Sequence, residues 1–387
     1  MMQKVKEWTD KNIHGDPIIW LVVICLSVFG ILVVYSATGS LAYRAAGGNT
    51  EKFLIRHTSM VALSLFVMWV AHKIDYRYYS KITRVALIIS VPLLLYAWLY
   101  GSSHNDASRW ISLPFIGLQF QPSDLAKMAL IAGLATMLAK RQSNIGDIKE
   151  TLIPMLAWSF GICLLIAMTN ISTAVLLFMT CMLIFFIGRV PVKYLVMLVV
   201  VGALAGLIAM KAGQRGETAI SRVTDFLDKT EVPYQVQQAN IAIATGGVLG
   251  KGPGKSTQRN FLPEAYADFA YAIIIEEYGI IGGVVVLFLY LVLLYRGMRV
   301  VANSDRAFGG LLSAGLSFLI VIQALVNIGV VVGLGPVTGQ TLPLISMGGT
   351  SLLFTGLSLG IILSVSRGET EDFSAVNGQL KNSYKTA

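Results

Sequence analysis

A series of apolar runs is the feature that most constrains this chain, because each run is long enough, or nearly so, to cross a bilayer as a helix. Crossing the hydrocarbon core takes about 20 helical residues. Ten runs approach or exceed that length, and they cover residues 17–36, 57–72, 85–100, 123–139, 152–168, 173–188, 194–211, 267–295, 308–333 and 348–366. The sequence therefore predicts an all-α polytopic membrane protein with about ten transmembrane helices.

Charged residues are scarce and lie mostly between these runs. They make up 13% of the chain, whereas 55% is apolar, and the net charge is +9. A soluble domain normally carries about 25% charged residues. Because much of the positive charge lies in short loops and not on a basic soluble domain, we expect no nucleic-acid partner.

The distribution of lysine and arginine predicts the orientation. Both termini and the short loops on their side of the membrane carry 18 of these residues, and the opposite short loops carry 4. Short cytoplasmic loops hold the excess of positive charge in membrane proteins. We therefore predict a cytoplasmic (inner) membrane protein with a cytoplasmic segment 1–16, a membrane domain 17–366 and a disordered cytoplasmic tail 367–387. An extracytoplasmic loop, 212–266, separates the seventh and eighth spans.

The outer segment 101–122 leads into a helix start that carries a lysine. The candidate substrate-binding residues in and after this segment are Arg109, Trp110, Gln121, Ser123 and Lys127. Lys127 has two interpretations. It forms an ion pair with Asp124 at i,i+3 or, with the positive end of the helix dipole, it binds phosphate oxygens. A lysine at membrane depth is a functional candidate.

The long loop 212–266 contains a glycine-rich run, 246–256, that nearly matches a phosphate-binding loop. Leu249 stands where the first required glycine would be, and no buried strand precedes the run. We therefore interpret the run as a flexible loop that touches lipid headgroups or substrate. The polar residues of the long loop that are candidates to bind substrate are Arg222, Gln235, Gln238 and Glu264.

Asp268 opens the eighth run and is the best single candidate for a catalytic base. An aspartate at a helix start can also act as a cap or as a partner of the helix dipole. Glu276 is too far along the helix to pair with it, since eight residues rise about 12 Å and glycosidase carboxylates lie about 5–9.5 Å apart. We expect Glu276 and Glu277 to pair with polar groups inside the bundle.

The segment 335–349 follows the ninth run and cannot be a simple helix, because it contains two prolines and four glycines. Irregular backbone at membrane depth is tolerated where it is buried in protein or lines a wet cavity. The segment is either a re-entrant wall of an outward-facing cavity, with Pro343 and Ser346 as substrate-binding candidates, or a tight connector.

Together these segments resemble the SEDS family of membrane glycosyltransferases, which includes FtsW, RodA and SpoVE. The resemblance runs from residue 35 to residue 367, with several long motifs in order. They are Ser108-Arg109-Trp110, Gln121-Pro122-Ser123-Asp124 with Lys127, Gly246-Gly247 to Gly250, Leu262-Pro263-Glu264 with Asp268-Phe269, Glu276-Glu277-Tyr278-Gly279, and Pro336-Val337-Thr338-Gly339 through Gly349. The forms at 107–110 and 263–265 are more similar to FtsW than to RodA.

Two departures from the family pattern stand out. The hairpin at 168–173 lacks the carboxylate that the family often carries there, so we assign it no catalytic role. Tyr266-Ala267 replaces the frequent His-Thr pair before Asp268.

The resemblance implies a peptidoglycan glycosyltransferase that polymerises lipid II at the outer face of the membrane, in cell division or cell-shape maintenance. Asp268 would accept the proton of the acceptor's 4-hydroxyl, and Lys127, Arg109 and a divalent cation (Mg²⁺ or Mn²⁺) would stabilise the leaving pyrophosphate. No ligand cluster in the sequence demands that metal. The implied partners are a class B penicillin-binding protein and other divisome or elongasome membrane proteins.

Two other functions fit the same sequence. A lipid II flippase needs a cavity and alternating access but no catalytic base, and a divisome scaffold needs neither. We place the working surface where the long loop meets Asp268 and expect it to face the helix start that carries Lys127.

Overall fold

A computed structural model describes residues 12, 14–39, 50–104, 107–112, 119–142, 145, 147–212, 216–228, 232–304 and 306–383. Within this part of the chain, eight helices are long and apolar enough to cross a membrane. Two shorter apolar helices, Ile171–Ile187 and Val192–Leu207, complete a set of ten. The ten helices follow the order of the ten apolar runs, so the predicted polytopic all-α fold is confirmed.

The helices that we number α1 to α12 include these ten and two more in the long loop. Their bounds are α1 Pro17–Ala37, α2 Thr50–Lys73, α3 Tyr76–Tyr100, α4 Pro122–Lys140, α5 Ile153–Ala167, α6 Ile171–Ile187, α7 Val192–Ala212, α8 Gly216–Asp228, α9 Tyr234–Gly246, α10 Ala270–Asn303, α11 Ala307–Val331 and α12 Thr350–Ser383. A turn of π-helix, Ile148–Leu152, precedes α5, and a 3₁₀ turn, Gln258–Asn260, follows α9.

The outer segment between α3 and α4 contains a small sheet that the sequence analysis did not predict. Its strands are β1 (Ser102–His104), β2 (Ala107–Ser112) and β3 (Gln119–Phe120), in the order β1-β2-β3. Both pairings are antiparallel. Strands this short carry little periodic signal, which is why only a loop was expected there.

Several helices extend beyond the predicted spans. Helix α2 begins at Thr50 and α3 at Tyr76, because their first turns are too polar to count as hydrocarbon-spanning. Asp75 caps α3 by accepting a hydrogen bond from the amide of Arg77 at 2.9 Å. At the other end of the chain α12 continues to Ser383, so most of the tail 367–387 that we predicted to be disordered is helical. No proline interrupts it there.

Close helix packing in the bundle depends on small residues. Helix α12 packs along α2, α10 along α11, and α3 along α4. A Cβ at Gly356 would lie 2.3 Å from the carbonyl oxygen of Ser64, and one at Gly360 would lie 2.5 Å from that of Met68. Glycine therefore lets the backbones of α12 and α2 touch, as is typical of helix contacts in membranes.

The loop between the seventh and eighth spans, and the eighth span itself, differ from the prediction. The loop 212–266 contains the helices α8 and α9. Helix α10 is divided at Gly279, which has φ 69° and ψ −175°, into segments 270–278 and 280–303. The predicted single long span is therefore two helical segments, and Asp268 lies in the turn before the first of them.

Candidate functional site

The turn 264–269 positions the Asp268 carboxylate. The carbonyl oxygen of Glu264 accepts hydrogen bonds from the amides of Ala267 and Asp268 at 2.9 and 3.1 Å. Glu264 itself has φ 54°, a left-handed backbone that a non-glycine residue adopts only at some cost. Asp268 is half-buried, whereas its neighbours Ala267 and Phe269 are buried. The turn thus anchors its apolar side chains and leaves the Asp268 carboxylate partly accessible.

The segment 335–349 packs on this turn through a set of hydrogen bonds. The Ser346 hydroxyl donates to the carbonyl oxygen of Ala267 at 2.5 Å and accepts from the amide of Leu342 at 2.9 Å. The amide of Met347 donates to the carbonyl oxygen of Tyr266 at 2.9 Å. The segment is irregular, as the sequence predicted, and its polar backbone groups are partly satisfied by the turn that holds Asp268.

Asn327 of α11 joins the turn and the segment directly. Its Nδ2 donates to the carbonyl oxygen of Asp268 at 2.7 Å and to that of Gln340 at 2.6 Å. The Asn327 side chain is buried. A buried amide with two carbonyl acceptors fixes both backbones with respect to α11.

Gly339 brings the segment against the carboxylate itself. It has φ 65°, and a Cβ at this position would lie 3.4 Å from Oδ2 of Asp268. Any side chain there would be strained by the positive φ, and its Cβ would be in van der Waals contact with the carboxylate. The segment 335–349 therefore forms one wall beside Asp268.

Two further side chains hold this wall. Gln340 donates from Nε2 to the Thr173 hydroxyl at 2.9 Å, at the start of α6. Arg222 of α8 donates from Nη1 to the carbonyl oxygen of Val337 at 3.1 Å. Arg222, a predicted substrate-binding residue, thus contacts the wall that lies beside Asp268.

Lys127 forms the ion pair with Asp124 that was one of its two predicted roles. Their Nζ and Oδ1 atoms are 2.8 Å apart, and both residues are buried. They line a small cavity with Gln323, Pro343 and polar residues of α12. Asp124 Oδ2 is buried and has no hydrogen-bond partner in the described part of the chain.

The segment 335–349 contacts both candidate centres. Pro343 lines the cavity of Lys127, whereas Gly339 lies beside Asp268. Asp268 is not among the residues that line this cavity. Asp268 and Lys127 thus each lie beside the segment 335–349, at different positions along it.

The other predicted binding residues lie at the start of α4, on β2 and on α9. Gln121 donates from Nε2 to the Ser123 hydroxyl at 2.9 Å, next to the first turn of α4. Trp110 and Arg109 lie on β2, and the side chain of Arg109 is outside the described part of the structure. Gln235 and Gln238 are half-buried and three residues apart on α9, so they share a face.

Tyr266 adds a neutral hydroxyl between the acidic residues. Burial raises the pKa of its phenol well above the usual value, and the negative charge and hydrogen bond of Glu264 and the charge of Asp268 raise it further. The phenol therefore stays protonated and donates to Glu264. Sequence reasoning missed Tyr266 and Asn327 as parts of the site, although a polar residue inside the apolar run 308–333 was a usable signal for Asn327.

Glu276 and Glu277 pair with polar groups, which confirms that prediction. Glu276 accepts from Lys251 Nζ at 2.6 Å and from the Thr257 hydroxyl at 2.8 Å. Glu277 accepts from the hydroxyl of Ser36 and from the amide of Ser256. The interpretation of 246–256 as a flexible loop was wrong, because the run packs against these buried glutamates.

Comparison with known proteins extends over nearly the whole chain. A family model described as cell cycle protein, for FtsW, RodA and SpoVE, matches residues 16–371. The stage V sporulation protein E of Bacillus subtilis (strain 168) is 32% identical over 93% of this chain and 99% of its own length. A probable peptidoglycan glycosyltransferase FtsW of Geobacter sp. (strain M18) is 34% identical over 92% of this chain and 98% of its own length.

Solved structures share the fold. A chain from a peptidoglycan synthase complex, described for its coordination of polymerization and crosslinking, matches with a TM-score of 0.74 and 26% identity over 92% of this chain and 99% of that chain. The rod shape determining protein RodA of Thermus thermophilus matches with a TM-score of 0.67 and 23% identity, over 92% of this chain and 98% of that chain. The second likeness concerns the fold alone.

Proposed function

The chain belongs to the FtsW, RodA and SpoVE family of cell cycle proteins, and from this premise we propose that it is a peptidoglycan glycosyltransferase with Asp268 as its general base. Its substrate is lipid II, which it polymerises into glycan strands in cell division or cell-shape maintenance. The observation that carries this assignment is the half-buried Asp268 carboxylate, held by the turn 264–269 and by the wall 335–349.

In the proposed reaction the 4-hydroxyl of the acceptor sugar attacks the anomeric carbon of the donor. Asp268 accepts the proton of that hydroxyl while the bond from the anomeric carbon to the pyrophosphate oxygen breaks. A positioned general base contributes about 10²–10⁴-fold. The hydrogen bonds of Asn327 and Ser346 around the turn support this role, because a base must be held in a defined place to act.

The leaving undecaprenyl pyrophosphate needs positive charge near its oxygens. Lys127 is our candidate, together with the N-terminus of α4, where backbone N–H groups and the helix dipole favour anions. Its ion pair with Asp124 lies at a cavity wall that also contains Pro343. A phosphate entering this cavity would compete with Asp124 for the Lys127 ammonium.

A divalent cation, Mg²⁺ or Mn²⁺, fits the chemistry of the turn. In the described residues no group of three or more His, Cys, Asp or Glu side chains could hold a metal by themselves. Mg²⁺ is, however, often bound by one or two carboxylates together with substrate phosphates. The half-buried Glu264 carboxylate would hold the ion with the pyrophosphate oxygens of the donor, where the ion would neutralise developing charge.

We place the site at the outer face of the cytoplasmic membrane, with both termini in the cytoplasm. The excess of lysine and arginine on the side of the termini supports this orientation. A class B penicillin-binding protein is the proposed partner, since a structurally similar chain comes from a complex that coordinates polymerization and crosslinking. An outward-facing site has no ATP and must use a donor already activated on a lipid.

Polymerisation of labelled lipid II by the purified full-length chain tests the proposal. We expect glycan strands from the wild type, none from Asp268→Ala, and loss of product with a chelator that Mg²⁺ or Mn²⁺ reverses. Full polymerisation by Asp268→Ala would contradict the assignment of the base. Lipid II translocation without polymerisation by the wild type would favour the flippase function instead.

A further inference from the structure

The glycine-rich stretch 246–252, which we call the clamp, lies against the point where α10 is interrupted. A Cβ at Gly279 would lie 2.1 Å from the carbonyl oxygen of Val248, and one at Gly250 would lie 2.2 Å from that of Glu277. The two backbones are therefore in direct contact. Both glycines also have positive φ, 69° at Gly279 and 82° at Gly250, so both positions require glycine.

Backbone hydrogen bonds connect the clamp to both sides of the break. The amides of Lys251 and Gly252 donate to the carbonyl oxygens of Glu276 and Glu277, each at 2.9 Å. In return, the amide of Ile280 donates to the carbonyl oxygen of Gly247 at 2.9 Å. These bonds pair backbone N–H and C=O groups that, because of the break, have no partner four residues away in the helix. The clamp thus fixes the relation between the two segments of α10.

Lys251 closes this contact with an ion pair to a buried carboxylate. Its Nζ lies 2.6 Å from Oε1 of Glu276, whose side chain is 0% exposed. Thr257 donates to the same oxygen from its amide at 3.0 Å and its hydroxyl at 2.8 Å, and the Ser256 hydroxyl donates to the other oxygen. A buried carboxylate is stable only when it is paired and hydrogen-bonded in this way.

The segment 270–278 carries the clamp at one end and the Asp268 turn at the other. Its residues 270–277 are all buried. From residue 270 to residue 278 the rise along the helix is about 12 Å. A packed helix of this length behaves as one body, so a shift at Glu276 also shifts the turn 264–269.

We propose that Lys251 and Glu276 are positioning residues that hold the Asp268 carboxylate in place through the segment 270–278. This inference rests on the proposed function. The clamp and the turn lie at opposite ends of this segment, so the clamp affects the rate of the chemical step more than the binding of lipid II. A displacement of about 1 Å at a catalytic group can lower a rate about 10²-fold.

Kinetics of three variants of the purified full-length chain with labelled lipid II test this role. We expect Lys251→Met to lower kcat by about 10- to 100-fold with KM changed less than about threefold. Lys251→Arg keeps a cation for Glu276 and should recover most of the activity. The matched control is Lys255→Met, which removes an exposed lysine of the neighbouring sequence and should leave kcat and KM unchanged.

Hydrogen exchange separates positioning from simple loss of folded protein. In Lys251→Met the amides of 264–278 should exchange faster while those of α4 and α11 keep their protection. If Lys251→Met does not fold, Glu276→Gln replaces it, since the glutamine Oε1 can still accept from Thr257 while its Nε2 donates to the Ser256 hydroxyl.

Two results have distinct meanings. Wild-type protein that makes no glycan contradicts the proposed function. The positioning role alone is overturned if the wild type polymerises lipid II and Lys251→Met has the same kcat. It is also overturned if kcat in Lys251→Met falls only in proportion to the fraction of folded protein.

Discussion

Replacing Asn327 with aspartate tests whether the two halves of the candidate site are held together as described. Asn327 is 2% exposed, and its Nδ2 contacts the carbonyl oxygens of Asp268 and Gln340. Because both partners are acceptors, only a group with two donor hydrogens fits between them. Asn327→Asp keeps the size of the side chain but replaces Nδ2, which donates to both carbonyls, with a carboxylate oxygen that can only repel them.

The structure sets the magnitude of this effect. Each buried acceptor that loses its donor costs about 1–3 kcal/mol, so the two together cost about 2–6 kcal/mol, and the new buried charge adds to this. Asn327→Ala removes the same bonds without adding a charge and should be less harmful. Ser317→Ala is the matched control on α11, since the Ser317 hydroxyl is buried without a partner in the described structure, and its loss should cost no more than about 0.5 kcal/mol.

Thermal unfolding and lipid II polymerisation, measured on the same purified samples, are the assays. We expect the midpoint of unfolding to fall most for Asn327→Asp, less for Asn327→Ala and least for Ser317→Ala. Polymerisation by the folded Asn327→Asp protein should fall about 10²-fold, because the turn that holds Asp268 is released. A variant Asn327→Asp with the melting temperature and rate of the wild type would refute this account of the site.

Three further predictions concern other parts of the molecule. Gly279→Ala should destabilise the chain by about 3 kcal/mol or more, because its Cβ would meet a backbone carbonyl at a strained φ. The control Gly161→Ala has open space around the Cβ and should stabilise the chain by about 0.5–1 kcal/mol. The unfolding midpoints of the two variants are compared with that of the wild type. Asp16→Asn should cost about 3 kcal/mol in thermal unfolding, because it leaves Arg296, whose Nε lies 2.6 Å from Asp16 Oδ2, without its buried counter-charge. The pKa of Tyr266 is raised above its unfolded value of about 10, so its contribution to stability is complete below about pH 10 and is lost as the pH rises further. Tyr266→Phe should remove this loss of stability at alkaline pH, as measured by unfolding free energies over a pH series.

Hydrophobicity made the ten spans predictable, because lipid imposes one length and one composition on every helix that crosses it. The same rule misjudged where α2 and α3 begin, since their polar first turns extend past the hydrocarbon. It also missed the break at Gly279. A glycine inside an apolar run carries no local sign of a break, which becomes visible only when the clamp lies against it.

The candidate site was predictable in its residue types and not in its contacts. Asp268, Lys127 and the irregular segment 335–349 were recognisable because each violates the pattern of an apolar helix. Their arrangement was not, since Lys127 and Asp268 contact different parts of the segment and the hydrogen bonds of Asn327 join elements far apart in sequence. Glu276 and Glu277 were correctly expected to be paired, but Lys251 could not be identified as the partner from a glycine-rich run that looks flexible.

The most direct test of the central claim compares wild type with Asp268→Asn, an almost isosteric change that removes only the ability to accept the proton. Both proteins are reconstituted in vesicles that contain labelled lipid II, and glycan length and lipid II translocation are measured on the same vesicles. We expect glycan strands from the wild type and a loss of polymerisation of about 10²–10⁴-fold in Asp268→Asn, with the unfolding midpoint and lipid II binding retained. Equal polymerisation by the two proteins would contradict it.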